Sequence, residues 1–414
     1  MVAPTEEKPG GVQMMRKRSA PSEPRPRPRP RVLRALIVPV AAVAGLVTAC
    51  APGPAASPSA ASPPSTTAAP PSTSPAGATS PTAPATPAAP TPTGTFLVTD
   101  FGADTVTFVD PQRGAIGSVE VGTAPYGLAV DGAGRAWVAT AEGVAVVDTA
   151  SRTRLDLIPY RTATGRVTTG EYRGGGMGIA LSPDGRRAYV GVNVPGGDGV
   201  LEVVDTAARK VTDTVPVGRR PFDVDVSPDG ATVYATDHDS FDVTAVPTAT
   251  LVPRRIEVAP YGTEGGLGSW LKPHYTAVRP SDGRLLLPFE GERLAVVDPA
   301  TGRTTIEPMT AHTHQHGATL APDGRLLVVG TGPIDPATDA GPSLTVRNPD
   351  GTERLYPLDG PHETVTTSPD GRTAYVTGGF TRDGYWNGLT VIDLASGDTH
   401  RLPAGTRPLS IAVL

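Results

Sequence analysis

The chain has 414 residues, of which 36 are Lys or Arg, 41 are Asp or Glu and one is Cys. Nine of the basic and three of the acidic residues fall within 1–49, which leaves 27 against 38 and a net charge of −11 for the rest. That acidic remainder argues against a nucleic-acid partner, and a lone cysteine excludes an intrachain disulfide.

Residues 1–34 form a long basic leader, with Pro and Arg alternating over 24–31. Ala35–Ala49 follows as an uncharged apolar run. It is too short to span a bilayer comfortably and suits the hydrophobic region of a signal peptide. The run ends in Val47-Thr48-Ala49-Cys50, which resembles a bacterial lipobox. The resemblance implies that 1–49 are a lipoprotein signal peptide. It also implies that Cys50 is acylated and holds the chain on the extracytoplasmic side of the cell membrane. Residues 51–94 contain only Ala, Pro, Gly, Ser and Thr. A segment with nothing to bury does not offset the entropy of folding, so 50–94 reads as a disordered tether. As a flexible coil it spans roughly 35–40 Å on average.

The body, 95–414, reads as short strands punctuated by turns. Phe96–Thr99, Val106–Val109 and Gly117–Val121 give three strands with no first partner before them. Units of four strand-like runs then open at Pro125, Gly178, Pro221, Pro273, His316 and Thr364. A Ser-Pro-Asp-Gly turn recurs at 182–185, 227–230 and 368–371, with Ala-Pro-Asp-Gly at 321–324. In such turns Pro sets φ, Asp caps locally and Gly takes φ > 0. Arg407–Leu414 is one more first strand, and it supplies what the N-terminal fragment lacks. One four-stranded sheet does not cover its own two faces, so the repeats must stack around one another. The predicted fold is all-β, a seven-bladed β-propeller with four antiparallel strands per blade. One blade is closed by strands from both termini, which removes free sheet edges.

Tyr375-Val376-Thr377, Tyr189-Val190-Gly191, the Ser-Pro-Asp-Gly turns and the Val-Val-Asp-Thr runs at 146–149 and 203–206 resemble the YVTN-type β-propeller family. The resemblance covers about 95–414. It implies a secreted or surface-attached seven-bladed protein, in a family whose members mostly lack an established activity. Thr99–Asp104 and the Pro-His pairs at 273–274 and 361–362 are also similar to lactonase-type seven-bladed propellers, although no complete acid–base set accompanies them.

In a propeller, the blade-to-blade links and the loops between second and third strands share one face, here called the top. The Ser-Pro-Asp-Gly turns lie on the other. By this rule six of the seven histidines fall on top. His238 is in a second-to-third-strand loop. His274, His316 and His362 stand where links enter the inner strands of three consecutive blades. His312 and His314 precede His316 in the same link, and only His400 falls elsewhere.

His274, His316 and His362 are expected to converge on the channel mouth beside Tyr275, with Glu363, His314 or His238 as a further ligand. Such a set suits Zn or Cu; the alternative is a polar mouth of hydrogen-bonded histidines. A ligand or partner surface is expected from Tyr126, Phe222, Asp223 and Tyr275 at the inner strands. Trp270 in a Gly-rich link, and Tyr385 and Trp386 in a long loop, are expected to extend it. The expected molecule is a monomeric, lipid-anchored extracytoplasmic binding module for a protein or small ligand at the top of its channel. Metal binding or delivery and lactonase-like hydrolysis are the alternatives.

Overall fold

The computed structural model describes residues 94–258, 272–289, 293–310, 315–331, 341–379 and 386–414. The expected signal peptide, Cys50 and nearly all of the expected tether lie outside the described residues. Among those described there are 28 strands and no helix. The strands form seven antiparallel sheets of four, as the repeat pattern predicts.

Blade 1 is the composite one. Its inner strand, Pro408–Val413, pairs with Phe96–Asp100 through Phe96↔Val413, Leu97↔Ala412, Val98↔Ile411 and Asp100↔Pro408. Backbone bonds from Leu414 N to Thr95 O and from Phe101 N to Arg407 O extend the seam at both ends. Blades 2 to 7 then follow in chain order, with inner strands Leu128–Val130, Gly175–Leu181, Pro221–Val226, Ala277–Val278, Gln315–Leu320 and Val365–Thr367.

Local sequence accounts for these strands. Third strands such as Gly143–Asp148 (GVAVVD) are apolar on both sides and buried on both, because each blade is sandwiched between two others. Fourth strands such as Thr153–Pro159 lie at the rim and are largely exposed. The core is correspondingly divided into seven apolar clusters, one at each interface between neighbouring blades. The recurring turn is built as its residues dictate. In the first copy Ser182 Oγ donates to Asp184 Oδ1 at 2.6 Å, Arg186 N donates to the same oxygen, and Gly185 takes φ +67°. The copies at 227–230 and 368–371 repeat this bond. These turns face away from the site below.

Candidate functional site at the top of the channel

The inner strands do more than line the channel. Consider the residue four positions before the end of each inner strand: Leu409, Tyr126, Met177, Phe222, His274, His316 and Glu363 in blades 1 to 7. All seven are buried. In blades 1, 3, 4 and 6 the ladder slips its register at this position. A bulge there breaks the in–out alternation and re-aims the side chain. Four apolar members, Leu409, Tyr126, Met177 and Phe222, meet one another and Phe101 across the top. Phe222 packs edge-on against Tyr126, Tyr275 and His274, with centroids 5.2–5.4 Å apart. Below this plug a channel of about 510 Å³ is lined by all seven inner strands.

Hydrogen bonds between neighbouring blades hold the plug in place. Thr99 Oγ1 donates to Tyr126 O, Gly127 N to Met177 O, Thr276 N to Asp223 Oδ2, Gly317 N to Glu363 O, and Thr364 Oγ1 to Leu409 O. A Cβ at Gly127 or Gly317 would run into the adjoining strand, so glycine permits this approach.

The remaining members are polar and form a continuous arc. Asp239 Oδ1 accepts from His238 Nδ1 at 2.8 Å. His238 Nε2 lies 3.0 Å from His274 Nε2. The His274 ring stacks on that of His316 at 4.2 Å between centroids. His316 Nδ1 is 2.9 Å from Glu363 Oε1, to which the Tyr275 hydroxyl also donates at 3.3 Å. His238 shows 1% exposure and His274, His316 and Glu363 show none.

Burial drives the His238 pKa down to about 4, despite the hydrogen bond and charge of Asp239, so its ring is neutral near pH 7. Burial pushes Asp239 up, but the hydrogen bond from His238 and the charges of His238, Arg220 and Lys272 hold it far below the usual carboxylate range. Tyr126 is pushed well above its ordinary range by burial, then by the charges of Glu363 and Glu171.

Asp239 also connects the arc to solvent. Its carboxylate bonds Arg220 at 2.7 Å and Lys272 at 3.4 Å. The Arg220 guanidinium lies 3.7 Å from the ring centre of Tyr172, which is half exposed. Tyr172, Asn193, Arg219, Arg220 and Asp239 line a rim pocket of about 250 Å³. Sequence reasoning did not place Asp239, Arg220 or Tyr172 in the site. The available signals were the Asp-His-Asp triplet at 237–239 and the position of Tyr172 and Arg220 in top-face links.

The structure thus brings His238, His274, His316, Glu363 and Tyr275 together, and sets His362 apart. Glu363, one residue on, holds the equivalent inner-strand position instead. The His362 ring sits within its own blade, with Nδ1 2.7 Å from Gly360 O, Nε2 2.7 Å from Thr390 Oγ1, and Trp386 at 6.0 Å. Asp223 is committed to structure: its oxygens accept from Val224 N and Thr276 N, and burial raises its pKa to about 6. Tyr126 and Phe222 belong to the plug. His314, Trp270 and Tyr385 lie outside the described residues. Among the described residues no group of three or more His, Cys, Asp or Glu is placed to hold a metal ion.

No protein-family model matches the chain, and no curated protein matches it. Among solved structures, it is similar to hydrazine synthase of Kuenenia stuttgartiensis, with TM-score 0.51 and 19% identity over 65% of this chain and 76% of that one. It is also similar to a functionally unknown protein from Desulfotomaculum acetoxidans DSM 771, with TM-score 0.56 and 11% identity over 78% and 99%. At such identities the likeness concerns the fold alone.

Proposed function

We propose that this chain is a lipid-anchored extracytoplasmic binding module of the YVTN type, which receives its ligand at the top of the propeller. The tether would hold the body away from the membrane, and the ligand would seat in the rim pocket of Tyr172, Arg220 and Asp239, above the buried histidines. One observation carries this reading. A plug otherwise made of apolar side chains is interrupted by His274, His316 and Glu363, and these are wired through His238 to a partly exposed Asp239. Burying three imidazoles and a carboxylate costs stability that further apolar residues would not, which favours a functional role over a packing one. A hydrolase reading would need an imidazole that reaches substrate, and His274 and His316 have no exposed surface.

The test is a small-molecule fragment screen by thermal shift and ligand-observed NMR. Hits should lose their effect in Arg220→Ala and Tyr172→Ala and keep it in Asp184→Ala, which alters a turn on the opposite face. Hits that depend on Asp184 and ignore Arg220 would refute the placement.

A further inference from the structure

The seven interfaces between blades are not filled alike. Among the described residues, six of the seven apolar clusters contain an aromatic ring, such as Trp137 between blades 2 and 3 and Tyr189 between blades 3 and 4. The cluster between blades 5 and 6 contains none. The residue paired with the penultimate one of the inner strand is Trp137, Tyr189, Tyr234 and Tyr375 in blades 2, 3, 4 and 7, but Leu286 in blade 5. A second position departs at the same interface. The fifth residue of the third strand is Val109, Val147, Val204, Val246, Val297 or Ile392 in six blades, each with no exposed surface. In blade 6 it is Arg347. Leu286 and Arg347 both line a cavity of about 300 Å³ on the face that carries the recurring turns. Leu294, Val296 and Leu326 complete its apolar wall, and Glu307 and Asp350 stand beside it.

We propose that this cavity binds a small neutral phenol, whose ring takes the place that Trp or Tyr holds at other interfaces. Its volume falls at the lower end of small-molecule sites, which suits a single ring. The charges select against an acid. Arg347 donates to Glu353 Oε1 at 2.6 Å, to Glu307 Oε2 at 2.7 Å and to Pro308 O at 3.3 Å. Two carboxylates thus neutralise it, and Asp282 does the same for Arg279. An aromatic carboxylate would meet Glu307 and Asp350 as like charges, whereas a phenolic hydroxyl donates to such acceptors. The bonds of Arg347 lie in the guanidinium plane, so its flat faces are what remains for a ring, and aromatic faces stack on them. Three interface rings of this molecule already carry an arginine in this way. Arg152 lies 5.0 Å from the centre of Phe108, Arg135 5.8 Å from that of Trp137, and Arg354 4.7 Å from that of Tyr356. The site lies on the opposite face from the rim pocket and does not depend on it.

The full chain is titrated with p-cresol by calorimetry and saturation-transfer NMR, beside 4-methylcyclohexanol and 4-methylbenzoate. Saturable binding of one p-cresol per chain is expected. It should exceed the saturated alcohol by roughly 2–30-fold, the range of a cation–π contact, and 4-methylbenzoate should bind more weakly than p-cresol. Leu286→Tyr gives blade 5 the residue that blades 3, 4 and 7 carry at this position. It should abolish binding and raise the Tm, as cavity filling does. Arg347→Met, its folding verified by a melting curve, should erase the preference for p-cresol over 4-methylcyclohexanol. Arg220→Ala, at the rim pocket, should change nothing. Absence of saturable binding, undiminished binding or a lowered Tm in Leu286→Tyr, or tighter binding of 4-methylbenzoate overturns the proposal. If N-acetyltyrosinamide binds more tightly than p-cresol, the occupant is a protein side chain and the assignment to a small molecule fails.

Discussion

Replacing Asp100 with Asn should stabilise the propeller at neutral pH and leave it unchanged in acid. Asp100 sits at the seam where the two termini pair, fully buried. One oxygen, Oδ2, accepts from Thr105 Oγ1 at 2.7 Å and Thr107 Oγ1 at 2.6 Å, while Oδ1 has no hydrogen-bond partner. Burial raises the pKa from 3.8 to about 6, against the pull of Thr107 and Thr105. The folded chain therefore binds this proton more tightly than the unfolded chain. Its contribution is complete below about pH 4 and is lost as pH rises through about 6. A shift of that size corresponds to about 3 kcal/mol. Asparagine resembles the protonated acid and does not titrate. Asp100→Asn should thus gain on the order of 1–3 kcal/mol at pH 7–8 and close to nothing at pH 4. For a body of this length that is a rise in Tm of about 2–5 °C. The assay is denaturant unfolding of both proteins at half-unit steps from pH 4 to 8, read as a difference so that other titrations cancel. A difference that stays flat with pH, or a wild type that is the more stable at pH 7, would refute the reasoning.

Deleting Pro408–Leu414 removes the inner strand of blade 1 and the fully buried Leu409. It should cost on the order of 5–10 kcal/mol, comparable to the stability of a whole domain, so a cooperative melt like that of the full chain would disprove closure at this seam. Gly405→Ala places a Cβ inside the Asp100 carboxylate and should cost about 2–3 kcal/mol. The loss should shrink when Asp100 is also Ser, because the two positions touch; full additivity in the double-mutant cycle would contradict this. Cys50→Ala should release the protein from the membrane fraction and abolish lipid labelling, and persistent labelling would rule out Cys50 as the anchor.

Much of this molecule follows from sequence alone. The period of strand-like runs and the repeated Ser-Pro-Asp-Gly turns, whose bonds are made within five residues, specify seven blades. The unmatched three-strand start and the surplus strand at the end specify how the ring closes. These are legible because turn chemistry and strand alternation are local. The site is not local: His238 meets His274 across 36 residues, and His316 meets Glu363 across 47. Position in the chain sets His274, His316 and His362 where links enter their inner strands and His238 in a second-to-third-strand loop, but it does not say which way each ring points. That is decided by the register slip at the head of the strand, as beside Phe222 and His316. In blade 7, where Glu363 N and Thr364 O both bond Thr377, Glu363 meets His316 while His362, one residue earlier, turns back into its own blade against Thr390. A displacement of one residue reverses a side chain's direction in a strand, and only the packed ring, in which seven inner strands share one axis, resolves it.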